Sequence, residues 1–126
     1  MVDRIFIENL RIKCRIGVTE EERRDPQDVI LDVNLFRSLD RAAITNSLDD
    51  TANYREVMER ISDFVSEGEF TLLESLADGL AVRTLNQFGV DRVSVRVRKG
   101  KYSSEPSVGV EVVRSADAEG RPWSKR

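Results

Sequence analysis

The sequence of 126 residues contains no histidine, one cysteine, three prolines and one tryptophan. The missing histidines exclude most. Catalytic zinc sites draw most of their ligands from histidine, and a single cysteine cannot replace them. A serine or cysteine nucleophile activated by histidine is excluded on the same ground. Proton chemistry must fall to Glu, Asp, Lys, Tyr or water. With Cys14 alone, no disulfide can form within the chain. Cys14 sits in an apolar alternation and reads as a small buried hydrophobe. No apolar run approaches the roughly 20 residues of a membrane span. The first residues lead directly into a strand pattern, with no targeting segment legible, so a cytoplasmic protein is expected. There is no excess of positive charge either. Lys and Arg total 20 against 23 Asp and Glu, interspersed, which leaves nothing like the basic face of a nucleic-acid binder. Neither nucleic acid nor membrane is expected as a partner.

What is present is a globular mix, 40% hydrophobic and 34% charged, of a length that suits one domain with one core. Residues 1–114 carry the patterned part. Residues 115–126, which include Trp123, are small, charged and turn-prone and read as a loose tail.

Along the patterned part, Asp3 to Ile16 reads as one extended segment. Ile5 and Ile7 share a face, and Leu10, Ile12, Cys14 and Ile16 share one after a change of phase, which predicts a bulge near Glu8–Asn9. A polar loop, Thr19 to Pro26, leads to a second strand carrying Val29, Leu31, Val33 and Leu35 on one face. A short helical turn around Leu39 to Ile44 precedes another polar loop. Tyr54, Val57, Met58, Ile61, Phe64 and Val65 then recur at helical spacing, with Asn53 and Glu56 placed as a capping box and Gly68 as the stop. A second helix spans about Leu72 to Phe88 and ends at Gly89, with Thr71 and Glu74 as another start signal. Two further alternations follow, at Val93, Val95, Val97 and at Val108, Val110, Val112, around a loop from Gly100 to Ser107.

The order β-β-α-α-β-β predicts an α+β fold: a four-stranded antiparallel sheet made of two hairpins, with two helices on one face. Phe6 and Val113 fall on the other face. An open sheet with exposed edges and apolar residues on both faces calls for cover, and a symmetric homo-oligomer supplies it.

Four residues could carry chemistry: Glu22, Tyr54, Glu74 and Lys99. Each also has a plain structural explanation, respectively a solvated acidic loop, a helix start, a cap partner for Thr71 and a surface strand lysine. No nucleotide-binding glycine loop, metal-ligand cluster or nucleophile elbow competes with them.

Five separated segments, spanning residues 3–114 in order, resemble those of the dihydroneopterin aldolase family. Gly17-Val18 followed by Glu22 and Gln27 is similar to its G-V-x-x-x-E…Q loop. The run Leu48-Asp49-Asp50-Thr51-Ala52-Asn53-Tyr54 is similar to its D-T-V-x-Y segment. Leu72-Leu73-Glu74-Ser75-Leu76-Ala77 resembles its L-[IL]-E-x-L-A helix start. Val95-Arg96-Val97-Arg98-Lys99 resembles the strand ending in its lysine, and Val108-Gly109-Val110-Glu111 its closing strand.

The resemblance implies the tunnelling fold, an oligomeric barrel of tetrameric rings stacked into octamers, and active sites between subunits. It implies a retro-aldol cleavage of a reduced pterin, 7,8-dihydroneopterin, with no metal, no Schiff base and no cofactor. Carried over residue by residue, Glu74 would accept N–H donors from the pterin edge, helped by backbone groups near Leu73. Lys99 would move protons at the breaking carbon–carbon bond. Tyr54, from a neighbouring subunit, would protonate or orient the side chain, and Glu22 would bind its hydroxyls. Ala52 and Asn53 would line the ring edge. A lysine acts as a base near neutral pH only where desolvation or a neighbouring cation lowers its pKa, and Lys101 is the sequence-local cation for that task.

Three departures stand out: Gly100 where the family commonly has proline or a larger residue, a following loop about one residue shorter, and Cys14-Arg15-Ile16 before Gly17 in place of Tyr-His. Ile16 to Glu22 with Gln27-Asp28 looks at least as much like the sister group, the dihydroneopterin triphosphate 2′-epimerases, whereas Val108 to Glu111 favours the aldolases. A non-catalytic pterin-binding oligomer is the third alternative.

Overall fold

The computed structural model describes residues 3–100 and 106–116. β1 (Arg4–Ile16) pairs antiparallel with β2 (Gln27–Phe36), and their register shifts between Ile7 and Leu10. There Asn9 adopts φ 57°, a left-handed conformation that asparagine tolerates better than most residues. Its N–H donates to the Asp32 carboxylate at 2.8 Å. The bulge reconciles the two phases of the strand: Ile7, Ile12, Cys14 and Ile16 all enter one core, with Ile5 and Leu10 packed against it.

The stretch expected as a plain loop between these strands holds a short helix, α1 (Glu20–Arg24). It forms because Thr19 and Glu22 make a reciprocal capping box, which the acidic run disguised as mere solvated charge. α2 (Asp40–Thr45) takes the place of the predicted turn, followed by a single 3-10 turn at Leu48–Asp50. α3 (Tyr54–Glu67) buries Val57, Ile61 and Val65, with Phe64 and Met58 half-buried beside them. Its cap is simpler than the box predicted. Asn53 Oδ1 accepts from the Arg55 N–H at 3.1 Å, while Glu56 turns instead to Arg60. α4 (Leu73–Phe88) buries Leu76, Ala77, Leu80, Ala81 and Leu85, and stops at Gly89, whose φ of 58° suits glycine.

The sheet corrects the four-stranded expectation. Besides β4 (Arg92–Lys99) and β5 (Gly109–Ser115), a two-residue strand, β3 (Glu69–Phe70), lies parallel to the end of β1 at Arg15 and Ile16. The order is β3-β1-β2-β4-β5, a mixed five-stranded sheet. Two residues leave no periodicity to read, so β3 was illegible in the sequence. Pairing of β5 runs to Ser115, and the Ala116 N–H donates to Asp91 O at 3.0 Å, two residues past the expected boundary of the domain. Trp123 and Lys101 lie outside the described residues.

α3 and α4 cover one face of the sheet, as the pattern required, and the core lies between the layers. Val29, Val33, Val93, Val95 and Val97 are fully buried there, each worth roughly 1.5–3 kcal/mol of burial. The opposite face is more charged than the sequence reading expected. Arg4, Asp32, Asn34, Arg96 and Glu111 line a shallow depression on it, and Phe6 and Val113 remain about half exposed.

Cys14 is 1% exposed, and burial pushes its thiol up from 9.0 to about 11. A thiol with a raised folded pKa keeps its proton longer in the native chain than in the unfolded one. Its contribution therefore holds below about pH 9 and is lost as pH rises toward 11. Aromatic disulfide reagents at pH 8 are expected to label Cys14 only at the rate of chain opening, and full labelling within mixing time would contradict this.

Candidate active site

One end of the sheet gathers most of the residues singled out above. Glu22, third residue of α1, lies against Gly17; a methyl added to that glycine would stand 2.4 Å from Glu22 Cβ. One carboxylate oxygen of Glu22 accepts from the Thr19 N–H at 3.2 Å and hydroxyl at 3.0 Å, so the side chain is held in place with its second oxygen outside the cap. The Gly17 N–H donates to Phe70 O at 3.1 Å, which ties this loop to β3 and so to the segment that opens α4. Gln27 Nε2 donates to Ile16 O at 2.8 Å and closes the loop from the other side.

α4 begins at Leu73, with Leu72 as the flanking residue and no side-chain cap. The Thr71–Glu74 cap expected from the sequence does not form. Leu72 stands where a capping side chain would have to be, and Glu74 is the second helical residue rather than the third. Its carboxylate is exposed and has no hydrogen-bond or ion-pair partner among the described residues. Beside it are the first N–H groups of a helix of 16 residues, which have no partner within the helix. A free carboxylate next to free N–H donors is an arrangement for a ligand that both gives and takes hydrogen bonds.

Lys99 is the last residue of β4, half-buried and paired with Val29 on β2. Its strand partner places it at the β2 start, the same end as Gln27, Gly17 and Glu22. The Gly100 N–H donates to Asp28 O at 2.9 Å. A side chain at position 100 would meet Arg11 Nη1 at 2.9 Å and Asp28 Cβ at 3.1 Å, and a proline would also forfeit that hydrogen bond. The departure at Gly100 thus has a local cause in the Lys13–Asp28–Arg11 cluster. Lys13 Nζ at 3.0 Å and Arg11 Nη1 at 3.1 Å both reach the Asp28 carboxylate and hold it below the usual carboxylate range, Lys13 contributing most.

Ala52, Asn53 and Tyr54 are not part of this gathering. Arg37, just past the end of β2, donates to Asp50 O at 3.2 Å and anchors their segment at the opposite end of the sheet. The 14 residues of α3 separate Tyr54 from the β3 end by roughly 20 Å at ~1.5 Å per residue. Ala52 is buried, Asn53 caps α3, and Tyr54 is 59% exposed, its hydroxyl with no hydrogen bond among the described residues.

Compared with protein families, residues 5–113 match the model described as FolB, dihydroneopterin aldolase. The chain belongs to the dihydroneopterin aldolase family. The dihydroneopterin aldolase of Haemophilus influenzae is 30% identical over 114 residues, covering 90% of this chain and 97% of that protein. The dihydroneopterin triphosphate 2′-epimerase of Escherichia coli K12 is 38% identical over 72 residues, 57% of this chain and 60% of that protein. The crystal structure of E. coli dihydroneopterin aldolase in complex with neopterin superposes with a TM-score of 0.84 at 26% identity, over 90% of this chain and all of that one. The chain spans 18% of the longer folic acid synthesis protein FOL1 of Dictyostelium discoideum, at 31% identity over 117 residues.

Within this family member, two positioning residues escaped the sequence reading. Arg23, with 19% of its side chain exposed, donates to Gly17 O at 2.9 Å and Val18 O at 3.1 Å and holds the loop before Glu22. Arg15 reaches the carbonyls of Arg23 and Arg24 that end α1. Both sat inside charge runs, where the only sequence signal was that so many charges flank Gly17. Among the described residues, no group of three or more acidic or cysteine side chains could hold a metal ion, and no helix is long and apolar enough to cross a membrane.

Proposed function

We propose that this protein is a cytoplasmic dihydroneopterin aldolase of folate biosynthesis that works as a homo-oligomer without metal or organic cofactor. The observation that carries it is the free Glu74 carboxylate at the start of α4, at the same end of the fold as Lys99. The aminopyrimidine edge of a pterin presents adjacent N–H donors, which a carboxylate matches with two acceptor oxygens. In the reaction, a base takes the proton of the side-chain 2′-hydroxyl and the bond between C1′ and C2′ breaks. The electron pair flows into the dihydropterin ring and glycolaldehyde leaves. Protonation at C1′ then gives 6-hydroxymethyl-7,8-dihydropterin. Lys99 is the group assigned to these proton transfers, Glu22 to the side-chain hydroxyls, and Leu73 backbone to the ring.

Tyr54 enters from a neighbouring copy, because its own chain holds it at the far end of the sheet. The sheet has edges to support such assembly. The outer edge of β1 is covered by β3 only at Arg15 and Ile16, and β5 has no outer neighbour among the described residues. Phe6 on β1 and Val113 on β5 are exposed on one face at matching heights, through Asn34 and Ser94. A ring in which β5 of one copy meets β1 of the next would bring them together, giving a tetramer that can stack into an octamer. Coexpressed Tyr54→Phe and Lys99→Ala chains are expected to yield hybrid assemblies more active than either variant. A mixture no better than the sum of its parts would leave the shared site unsupported.

A second reading, the epimerase, is supported by the 38% identity to the E. coli epimerase across 72 residues and by the Ile16–Glu22 loop with Gln27-Asp28. Epimerisation needs only that the released aldehyde re-add to the opposite face. Incubation with 7,8-dihydroneopterin and, separately, its triphosphate, followed by chromatography, separates the three outcomes. Hydroxymethyl-dihydropterin from the free substrate supports the aldolase, an inverted triphosphate alone the epimerase, and binding without product a pterin-binding relative.

Gly17→Ala tests the Glu22 role, since the added methyl must push Glu22 from its place. The KM for dihydroneopterin is expected to rise about tenfold, the worth of one good hydrogen bond, with kcat changing less. Steady-state kinetics with an unchanged KM would remove Glu22 from the site.

A further inference from the structure

Two adjacent aspartates precede the Tyr54 segment, and the fold uses them differently. Asp49 is exposed and contributes only its backbone N–H, to Ser47 Oγ at 3.3 Å. Asp50 has 19% of its side chain exposed and both carboxylate oxygens engaged: Oδ2 accepts from the Thr45 hydroxyl at 2.6 Å and Oδ1 from Arg41 Nε at 2.8 Å. Its main chain is engaged as well. The N–H donates to Ser47 O at 3.2 Å, and the carbonyl accepts from Arg37 Nη2 at 3.2 Å, while the buried Nε–H of Arg37 has no partner among the described residues. The Thr45 hydroxyl first, and then Arg41, hold the Asp50 carboxyl below its ordinary range. Asp50 is therefore the knot that joins α2, the end of β2 and the 3-10 turn.

From that knot to Tyr54 the chain has little freedom. Thr51 is extended at φ −145°, ψ 179°, and its N–H is bonded to Leu48 O at 3.2 Å. The Ala52 side chain is buried in the core, and Asn53 caps α3. Among the described residues, no side-chain hydrogen bond fixes Tyr54 itself. It is 59% exposed, and its hydroxyl makes no hydrogen bond among the described residues. Whatever precision the phenol has must come from the backbone that Asp50 anchors.

We infer that Asp50 is a positioning residue, which fixes the 50–54 segment so that the Tyr54 phenol is held ready for a site completed by another copy of the chain. This rests on the role proposed above for Tyr54. Asp50 touches no substrate and acts only through that tyrosine.

The test is a double-mutant cycle in the full-length protein, with four forms: unmodified, Asp50→Asn, Tyr54→Phe and both together. Asn keeps the shape but turns an amide donor toward Thr45 or Arg41. In the unmodified background kcat for dihydroneopterin is expected to fall on the order of tenfold or more, since misplacing a reacting group by an ångström costs that scale, while KM stays nearly constant. In the Tyr54→Phe background the same change should have almost no further effect. Thr45→Val, which removes one of the two donors and leaves Arg41 in place, should reproduce a smaller loss with the same disappearance. This second variant stands in if Asp50→Asn does not fold. Asp49→Asn should leave kcat unchanged. Equal losses in both backgrounds, or no loss at Asp50 and Thr45, would overturn the inference while leaving Tyr54 in the mechanism. A Tyr54→Phe enzyme of full activity would instead remove the role of Tyr54, and Asp50's with it.

Discussion

Replacing Lys99 with alanine is expected to lower turnover of 7,8-dihydroneopterin by roughly 10²–10⁴-fold, the range that a positioned acid–base group contributes, and to leave pterin affinity close to that of the unmodified chain. The expectation follows from elimination as much as from position. Without histidine, the candidate residues at this end of the sheet able to move a proton are Glu22, Glu74 and Lys99, while Lys13 and Asp28 beside them are bound to one another. One oxygen of Glu22 is bound into its own helix cap, and Glu74 is proposed for the ring rather than for the side chain. That leaves Lys99 for the breaking bond. Its removal should not disturb the fold, because among the described residues it makes no ion pair and its strand pairing uses the backbone alone. Lys99→Met, which keeps the buried stem and loses only the ammonium, makes the cleaner comparison. Rapid-quench kinetics would separate chemistry from product release, and equilibrium titration with the product pterin would report binding. Turnover within a few-fold of normal in either variant would take Lys99 out of the chemistry.

Where periodicity carried the signal, the sequence was legible. The two phases of β1 required a bulge, and Asn9 sits at it with a left-handed backbone. The helical spacings of α3 and α4 and the valine alternation of β4 are the elements observed. Short elements were not legible, for a physical reason. β3 has two residues and α1 five, so neither spans a second period in which polar and apolar positions could be seen to recur. Caps were misassigned for a related reason. The motif T-x-x-E occurs at both Thr19 and Thr71, but only the first closes. At Thr71 the chain arrives from a strand tied to β1, and the helix starts a residue later than the motif demands. A four-letter spacing cannot express that constraint.

The candidate site shows the same division. Glu74 and Lys99 stand on long regular elements, and strand register alone decides which end of the sheet Lys99 occupies. The placement of Tyr54 could not be read from spacing, since it depends on the direction of α3 against the sheet. The loop around Gly17 and Glu22 rests on Arg15 and Arg23, and the Tyr54 segment at the other end on Asp50, charged residues whose contacts leave no pattern in the chain.

Glu74→Gln is expected to weaken binding of a pterin by about 10²–10³-fold, because it replaces two charge-assisted hydrogen bonds, each worth about 1.5–3 kcal/mol, with at best one neutral bond. The amide also presents an N–H to a ligand edge that is itself a donor, so one ligand hydrogen would be left facing another. The misassigned cap is what makes the prediction sharp. Had Glu74 been spent on the backbone at Thr71, its loss would unfold the helix start, and weakened binding would say nothing about recognition. Because α4 begins without it, the variant should melt within a few degrees of the unmodified protein, as exposed substitutions do. Affinity and stability are thereby separable in one protein. Glu74→Asp keeps the charge but draws it back by one methylene, and should fall between the two. A fluorescence titration in which all three forms bind pterin alike would mean that the free carboxylate serves something other than the ring. An equal loss of melting temperature and affinity would mean that Glu74 holds the helix after all.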